Sequence, residues 1–217
     1  MDISQAKKIM GKNFIGPDEL QGIASKLGIV DPISFRKGKF PKIFFSEEYL
    51  KKNKRNYILI LGIPKTKDGA HLTINKMRSD LGMDPNVSEP CFYNQDWYIR
   101  EKFADKTHLK FKWYLICKNV MRQTRGISPE NVEKLLARNQ NLPSAILTAF
   151  TFFAYYFLTD DEILWKNDFI WCSDRDKNGD KVYTGRYVDP KKINKNGFNI
   201  HRHLFIRSWH GVAPQIV

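Results

Sequence analysis

Apolar positions along this 217-residue chain fall into three patterns. The first is a helical period of hydrophobic residues between capping signals. Residues 17–27 put Leu20, Ile23, Ala24 and Leu27 on one face, with Pro17 at the first helical position and Gly28 as the stop. Shorter helices are expected over 5–10 with Ser4 as cap, from Ser46 through 55, over 73–81 before Gly82, from Asn94 or Asp96, and after Ser128-Pro129.

The second pattern belongs to strands. Residues 57–63, YILILGI, are a continuous apolar run that predicts a strand covered on both faces. Residues 108–118, HLKFKWYLICK, alternate instead. Leu109, Phe111, Trp113, Leu115 and Cys117 would take a core face, leaving Lys110, Lys112, Tyr114 and Lys118 on a wet one. A hairpin is expected over 168–187, with strands 169–173 and 181–187 and a type I′ turn at Asn178-Gly179. A further segment covers 198–207, and 208–217 read as a short tail.

The third pattern is residues 143–158, PSAILTAFTFFAYYFL, apolar on nearly every side. As a helix it must be buried on nearly every side. It falls short of the ~20 apolar residues a membrane span needs and carries Ser144, Thr148, Thr151, Tyr155 and Tyr156, so a core helix is expected. Together the patterns predict an α+β fold, one domain over 1–217, in which a mostly antiparallel sheet packs against helices around this central one. Within it, a basic helical region spans 1–56, a strand–helix–strand core 57–126, and the central helix with the hairpin 127–217.

Charge adds an asymmetry. The net charge is +13. Lys and Arg outnumber Asp and Glu by twelve to six in residues 1–56, twelve to seven in 57–126, and only twelve to ten in 127–217. Such a field favours anionic partners, so nucleic acid or another polyanion is the expected partner. No membrane partner and no cofactor are implied. Cys91, Cys117 and Cys172 sit among hydrophobic neighbours and read as buried free thiols, which with the lack of a signal-peptide pattern points to a soluble cytoplasmic protein.

Two basic stretches are candidate anion surfaces. Arg36, Lys37 and Lys39 stand between Phe35 and Phe40, the interleaving of cations and rings that single-strand grooves use. Lys110, Lys112, Tyr114 and Lys118, extended by Arg122 and Arg125, form the other. Candidate metal ligands lie later in the chain. Asp174, Asp176, Asn178 and Asp180 match the first half of a calcium loop, but Gly185 stands where the bidentate Glu belongs, so an EF-hand is excluded. His201 and His203 would project from one strand face, with His210 or Cys172 to complete a zinc site. Asp160, Asp161, Glu162 and Asp168 with Lys166 hold the groups, though not the spacing, of a metal-dependent nuclease. No nucleophile motif is present. The function expected is therefore polyanion binding without catalysis, the alternatives being a metal-dependent hydrolase and a protein-interaction subunit.

Overall fold

The computed structural model describes residues 1–35, 37–159, 162–187, 197–202 and 205–217. Its architecture is α+β, built on the helix at 143–158. That helix, α8 in a chain that begins with α1 (Ile3–Met10), runs Ala145–Leu158, and Ala145 to Tyr156 are buried without exception. Ser144 Oγ accepts the Leu147 N–H at 3.3 Å, and the Asp174 carboxylate accepts the Ala145 N–H at 2.6 Å. Two of the helix's orphan donors are thus met, one of them by a distant strand. Phe150, Phe152 and Phe153 are fully buried, so truncating any one to Ala costs about 3–5 kcal/mol.

Two sheets flank this axis. The first has the order β1-β2-β3-β9-β4, from Phe14–Ile15, Tyr57–Leu61, Trp113–Cys117, Gln215–Ile216 and Gln140–Asn141. The β1–β2 pair is parallel and the others are antiparallel. The second has the order β7-β6-β5-β8, from Gly197–Arg202, Lys181–Tyr187, Phe169–Arg175 and His210–Gly211. Helix α8 packs on β5 and β6 and also against α2 (Pro17–Leu27), α5 (Ile74–Leu81) and α6 (Lys102–Asp105). One hydrophobic cluster runs from Ala6 to Ile216 and joins both sheets. No helix among the described residues is long and apolar enough to cross a membrane.

Several expectations are met in detail. β2 is buried at all five positions, α2 ends on left-handed Gly28, Ser46 caps α4 (Glu47–Asn53), and α5 ends before Gly82. Others are corrected. α1 is capped by Asp2, whose carboxylate accepts the Gln5 N–H at 2.7 Å, instead of by Ser4. The region after Asn94 forms only the single-turn α6, and the helix at Pro129 stops at Val132 (α7).

The expected strand over 108–118 is only Trp113–Cys117, and all five residues are buried. Because successive side chains point to opposite faces and all of them are buried, neither face is wet, and β2 and β9 pair with its two edges. The chain bends just before it, where the Lys110 N–H donates to the Tyr114 hydroxyl at 3.0 Å and the Gly62 N–H to the Lys112 carbonyl at 2.9 Å. Gly62 makes this possible, since a Cβ there would come within 2.5 Å of the Tyr114 ring and 2.7 Å of the Lys110 carbonyl.

The hairpin turn is corrected too. Asp176 N–H donates to Asp180 O at 2.9 Å around a three-residue loop in which Gly179 is left-handed (φ 91°) and Asn178 is not. A type I turn with a following glycine replaces the expected type I′ turn. Residues 208–217, expected as a tail, instead supply β8 and β9, one strand to each sheet.

Candidate basic-aromatic site

The bend ahead of β3 brings together two stretches 70 residues apart in sequence. Short helix α3 (Pro32–Phe35) is capped by Asp31, which accepts the Ile33 N–H at 2.9 Å and the Ser34 hydroxyl at 2.7 Å. It is closed by a turn in which Lys37 (φ 50°) and Gly38 (φ 73°) are both left-handed. Left-handed geometry is unfavourable for a lysine by about 1–2 kcal/mol, so the surroundings must hold it. Two backbone bonds do, from Lys37 N–H to Ser34 O and from Gly38 N–H to Ile33 O. The chain then returns along Phe40 and Pro41, and Pro41 is pinned to β3 because its carbonyl accepts the Trp113 indole N–H at 2.9 Å.

The result is a pocket of about 480 Å³ lined by Phe35, Lys37, Lys39, Phe40, Pro41 and Phe111. Phe111 meets Phe35 edge-on at 5.7 Å and Phe40 at 6.3 Å. Lys37 and Lys39 are exposed, and no ion pair among the described residues involves either. Lys110 and Lys112, also exposed, flank Phe111 in the chain, and the Lys112 ammonium sits 4.8 Å over the Tyr114 ring. Cations around a ring-lined hollow present phosphate contacts and stacking faces side by side.

The remaining residues of the expected basic face lie elsewhere. Tyr114 is buried. Lys118 follows β3 where Lys112 precedes it, so the two stand at opposite ends of a five-residue strand, ~17 Å long. The Lys118 ammonium donates to Asn13 Oδ1 at 3.0 Å and to the Tyr155 hydroxyl at 2.7 Å, and that hydroxyl donates to Glu162 at 3.0 Å. Burial lowers the Lys118 pKa and raises that of Tyr155, whose bond to Glu162 adds to the rise. This is an internal network that ties β3 to α8. Arg125 makes a two-pronged pair with Asp168 at 2.5 and 2.8 Å, and that carboxylate raises its pKa further. Arg122 is exposed in a turn packed against β8. Arg36 lies outside the described residues.

The candidate metal ligands diverge. Asp174 caps α8, and burial raises its pKa. Asp176 turns inward, its side chain fully buried. One oxygen accepts the Asn178 and Asp180 N–H groups at 2.9 Å, and the other accepts Arg202 at 2.9 Å. Burial works to raise its pKa, but Arg202 and the loop N–H groups outweigh it and hold it low. Asn178 and Asp180 are exposed at the tip. His201 packs on Tyr183 at 5.6 Å, and His203, Asp160 and Asp161 lie outside the described residues. Cys172 is sealed in the core beside Thr148 and Thr184, its thiol pushed by burial to about 12. Among the described residues no three His, Cys, Asp or Glu side chains come together to hold a metal ion.

Sequence reasoning missed the role of Phe111, which the alternation assigned to the core face. It also missed a second aromatic cleft formed by Phe169, Tyr183, Phe205, Arg207 and Trp209. The Phe-Ile-Arg-Ser-Trp run at 205–209 is the only signal that marks that cleft. No protein-family model, curated protein or solved structure matches this chain.

Proposed function

We propose that the protein binds single-stranded nucleic acid through the basic-aromatic pocket. The observation that carries this reading is the convergence of Phe35, Lys37, Lys39 and Phe40 with Phe111 from a distant stretch. Rings accept the faces of unstacked bases whatever the sequence, while exposed lysines that no carboxylate among the described residues pairs with are available to phosphates. Lys110 and Lys112 beside Phe111 extend the cationic border, and the excess of positive charge in residues 1–126 draws a polyanion towards it. Duplex DNA fits less well, because a hollow lined by rings offers nothing to bases that stay stacked. Among the described candidates for metal catalysis, Asp174, Asp176, Asp168, Glu162 and His201 are engaged in a helix cap, a loop, an ion pair, a hydrogen bond and a ring contact, which favours binding over hydrolysis. Three buried free thiols accord with a reducing, cytoplasmic setting.

The test is titration of a fluorescently labelled oligothymidylate with the parent protein and with Phe111→Ala. Loss of one stacking ring should weaken binding by about 1–3 kcal/mol, roughly 5- to 150-fold, and because the ring is partly buried against the core the affinity is compared at a temperature where the variant's melting curve shows it folded. Equal affinity for the variant, or a preference for duplex, would overturn the proposal.

A further inference from the structure

A second cleft, of about 290 Å³, opens on the other sheet, where β6 and β7 meet the segment that enters β8. Its floor is aromatic. Tyr183 is edge-on to Phe169 at 5.5 Å and lies 5.6 Å from His201. Its wall is Phe205 and Trp209, which are 73% and 38% exposed. Two large exposed rings at one cleft, on a protein with an ample core, call for an explanation. Between them stands Arg207, its guanidinium 5.3 Å from the Phe205 ring and 5.2 Å from that of Trp209.

This arginine is held in place through its backbone. Its backbone N–H donates to His210 Nδ1 at 3.0 Å, and the Trp209 carbonyl accepts the Phe169 N–H at 2.9 Å, so the wall is pinned to β5 and β8. Ion pairs among the described residues engage Arg78, Arg125, Arg186 and Arg202, but not Arg207. Arg202, at the same cleft, is already occupied by Asp176 and by the Trp97 ring at 5.0 Å. The cleft therefore offers one planar five-donor cation packed over two rings whose remaining surface is exposed. A guanidinium fork matches a phosphate, and exposed indole and phenyl faces match a flat heterocycle. A cationic ligand would be repelled by Arg207. The volume lies at the lower end for small-molecule sites, room for one such unit rather than two joined.

We propose that this cleft is a binding site for a nucleoside 5′-monophosphate, with the base stacked on Trp209 or Phe205 and the phosphate held by Arg207. The ligand is either the free nucleotide or the phosphorylated end of a strand. This site stands independently of the pocket at Phe111.

Calorimetric titration of the full chain with AMP tests it. AMP should bind saturably, and adenosine and inorganic phosphate should each bind at least about 10-fold more weakly, since each keeps only half of the contacts. Arg207→Ala and Trp209→Ala should each weaken AMP by about 10-fold or more, as loss of a charged hydrogen bond or a stacking face requires. Phe205→Ala, the most exposed of the three, repeats the test should either variant melt earlier than the parent. Paired Lys37→Ala and Lys39→Ala should leave AMP binding unchanged, which keeps this result separate from the polyanion reading. Competition by a short 5′-phosphorylated oligonucleotide, but not by its 5′-hydroxyl form, would assign the site to a strand end, and no competition by either would assign it to the free nucleotide. Absence of AMP binding at roughly 1 mM, or full affinity in the folded alanine variants, would overturn the proposal.

Discussion

Replacing Lys37 and Lys39 with Ala together perturbs the proposed nucleic-acid site without touching the core. Both side chains are exposed and neither takes part in an ion pair among the described residues, so the melting temperature should stay within about 1–2 °C of the parent. The effect on binding follows from counterion release. Each phosphate contact on a single strand contributes about 0.7 to the slope of log affinity against log salt. If Lys37, Lys39, Lys110 and Lys112 each meet one phosphate, the parent slope is about −2.8. Affinity should then fall roughly 50-fold between about 50 and 200 mM salt. Removing two contacts should bring the slope to about −1.4 and weaken binding roughly 25-fold near 0.1 M salt. Fluorescence anisotropy with a labelled oligothymidylate, repeated at four or five salt concentrations, measures both quantities. A double variant that keeps the parent's slope would refute the assignment of phosphates to these lysines, whatever its absolute affinity.

Three further predictions address the surrounding structure. Lys118→Ala should cost about 1–3 kcal/mol of stability, because it removes the donor to Asn13 Oδ1 and to the Tyr155 hydroxyl and the cation beside Glu162, yet leave the salt slope unchanged. A folded Lys118→Ala protein with a reduced slope would move the site to the other end of β3. Asp176→Asn should cost about 1–3 kcal/mol at neutral pH, since it breaks the ion pair between this buried carboxylate and the partly exposed Arg202. Because the Asp176 pKa is held below its unfolded value, its contribution is present above the ordinary carboxylate range and is lost as the pH falls through the native value. Chemical denaturation should therefore show the parent and variant converging in acid, and a constant difference across that range would contradict the assignment. Thiol labelling without denaturant should leave Cys172 unmodified, since it is fully buried with a pKa near 12, and rapid labelling at neutral pH would place it at the surface.

How far the sequence carried this picture varies with the range of the interactions. Elements specified by their own residues were legible. The Pro17 start and Gly28 stop bound α2, the unbroken apolar run gave β2, and residues 143–158, apolar on nearly every side, gave α8. Elements decided by distant contacts were not. The lysines at 110 and 112 imitate the wet face of a strand, but Gly62 lets the Tyr114 ring close against β2 and bends the chain away before the strand begins. Residues 210–216 form two-residue strands, too short to show any period, and only their partners in the two sheets define them. At the Asn178-Gly179 turn, the buried Asp176 carboxylate imposed a loop that the dipeptide alone does not specify.

The candidate site divides along the same line. Cations alternating with phenylalanines near Lys37 were visible in one stretch of sequence. The third ring, Phe111, is supplied only by tertiary structure, and so is the separation of Lys118, Arg122 and Arg125 from it. The acidic cluster misled for a related reason. Spacing suggested cation ligands, whereas Asp174 and Asp176 point to a helix end and to an arginine that are remote in sequence.

The most direct measurement of the central claim is photo-crosslinking of an oligonucleotide carrying 5-iodouridine, followed by mass spectrometry of the adducts. Adducts are expected on Phe35, Phe40 or Phe111, suppressed in Phe111→Ala and by excess unlabelled single strand. Adducts confined to the segment from Lys118 to Arg125, or to the cleft at Trp209, would contradict it.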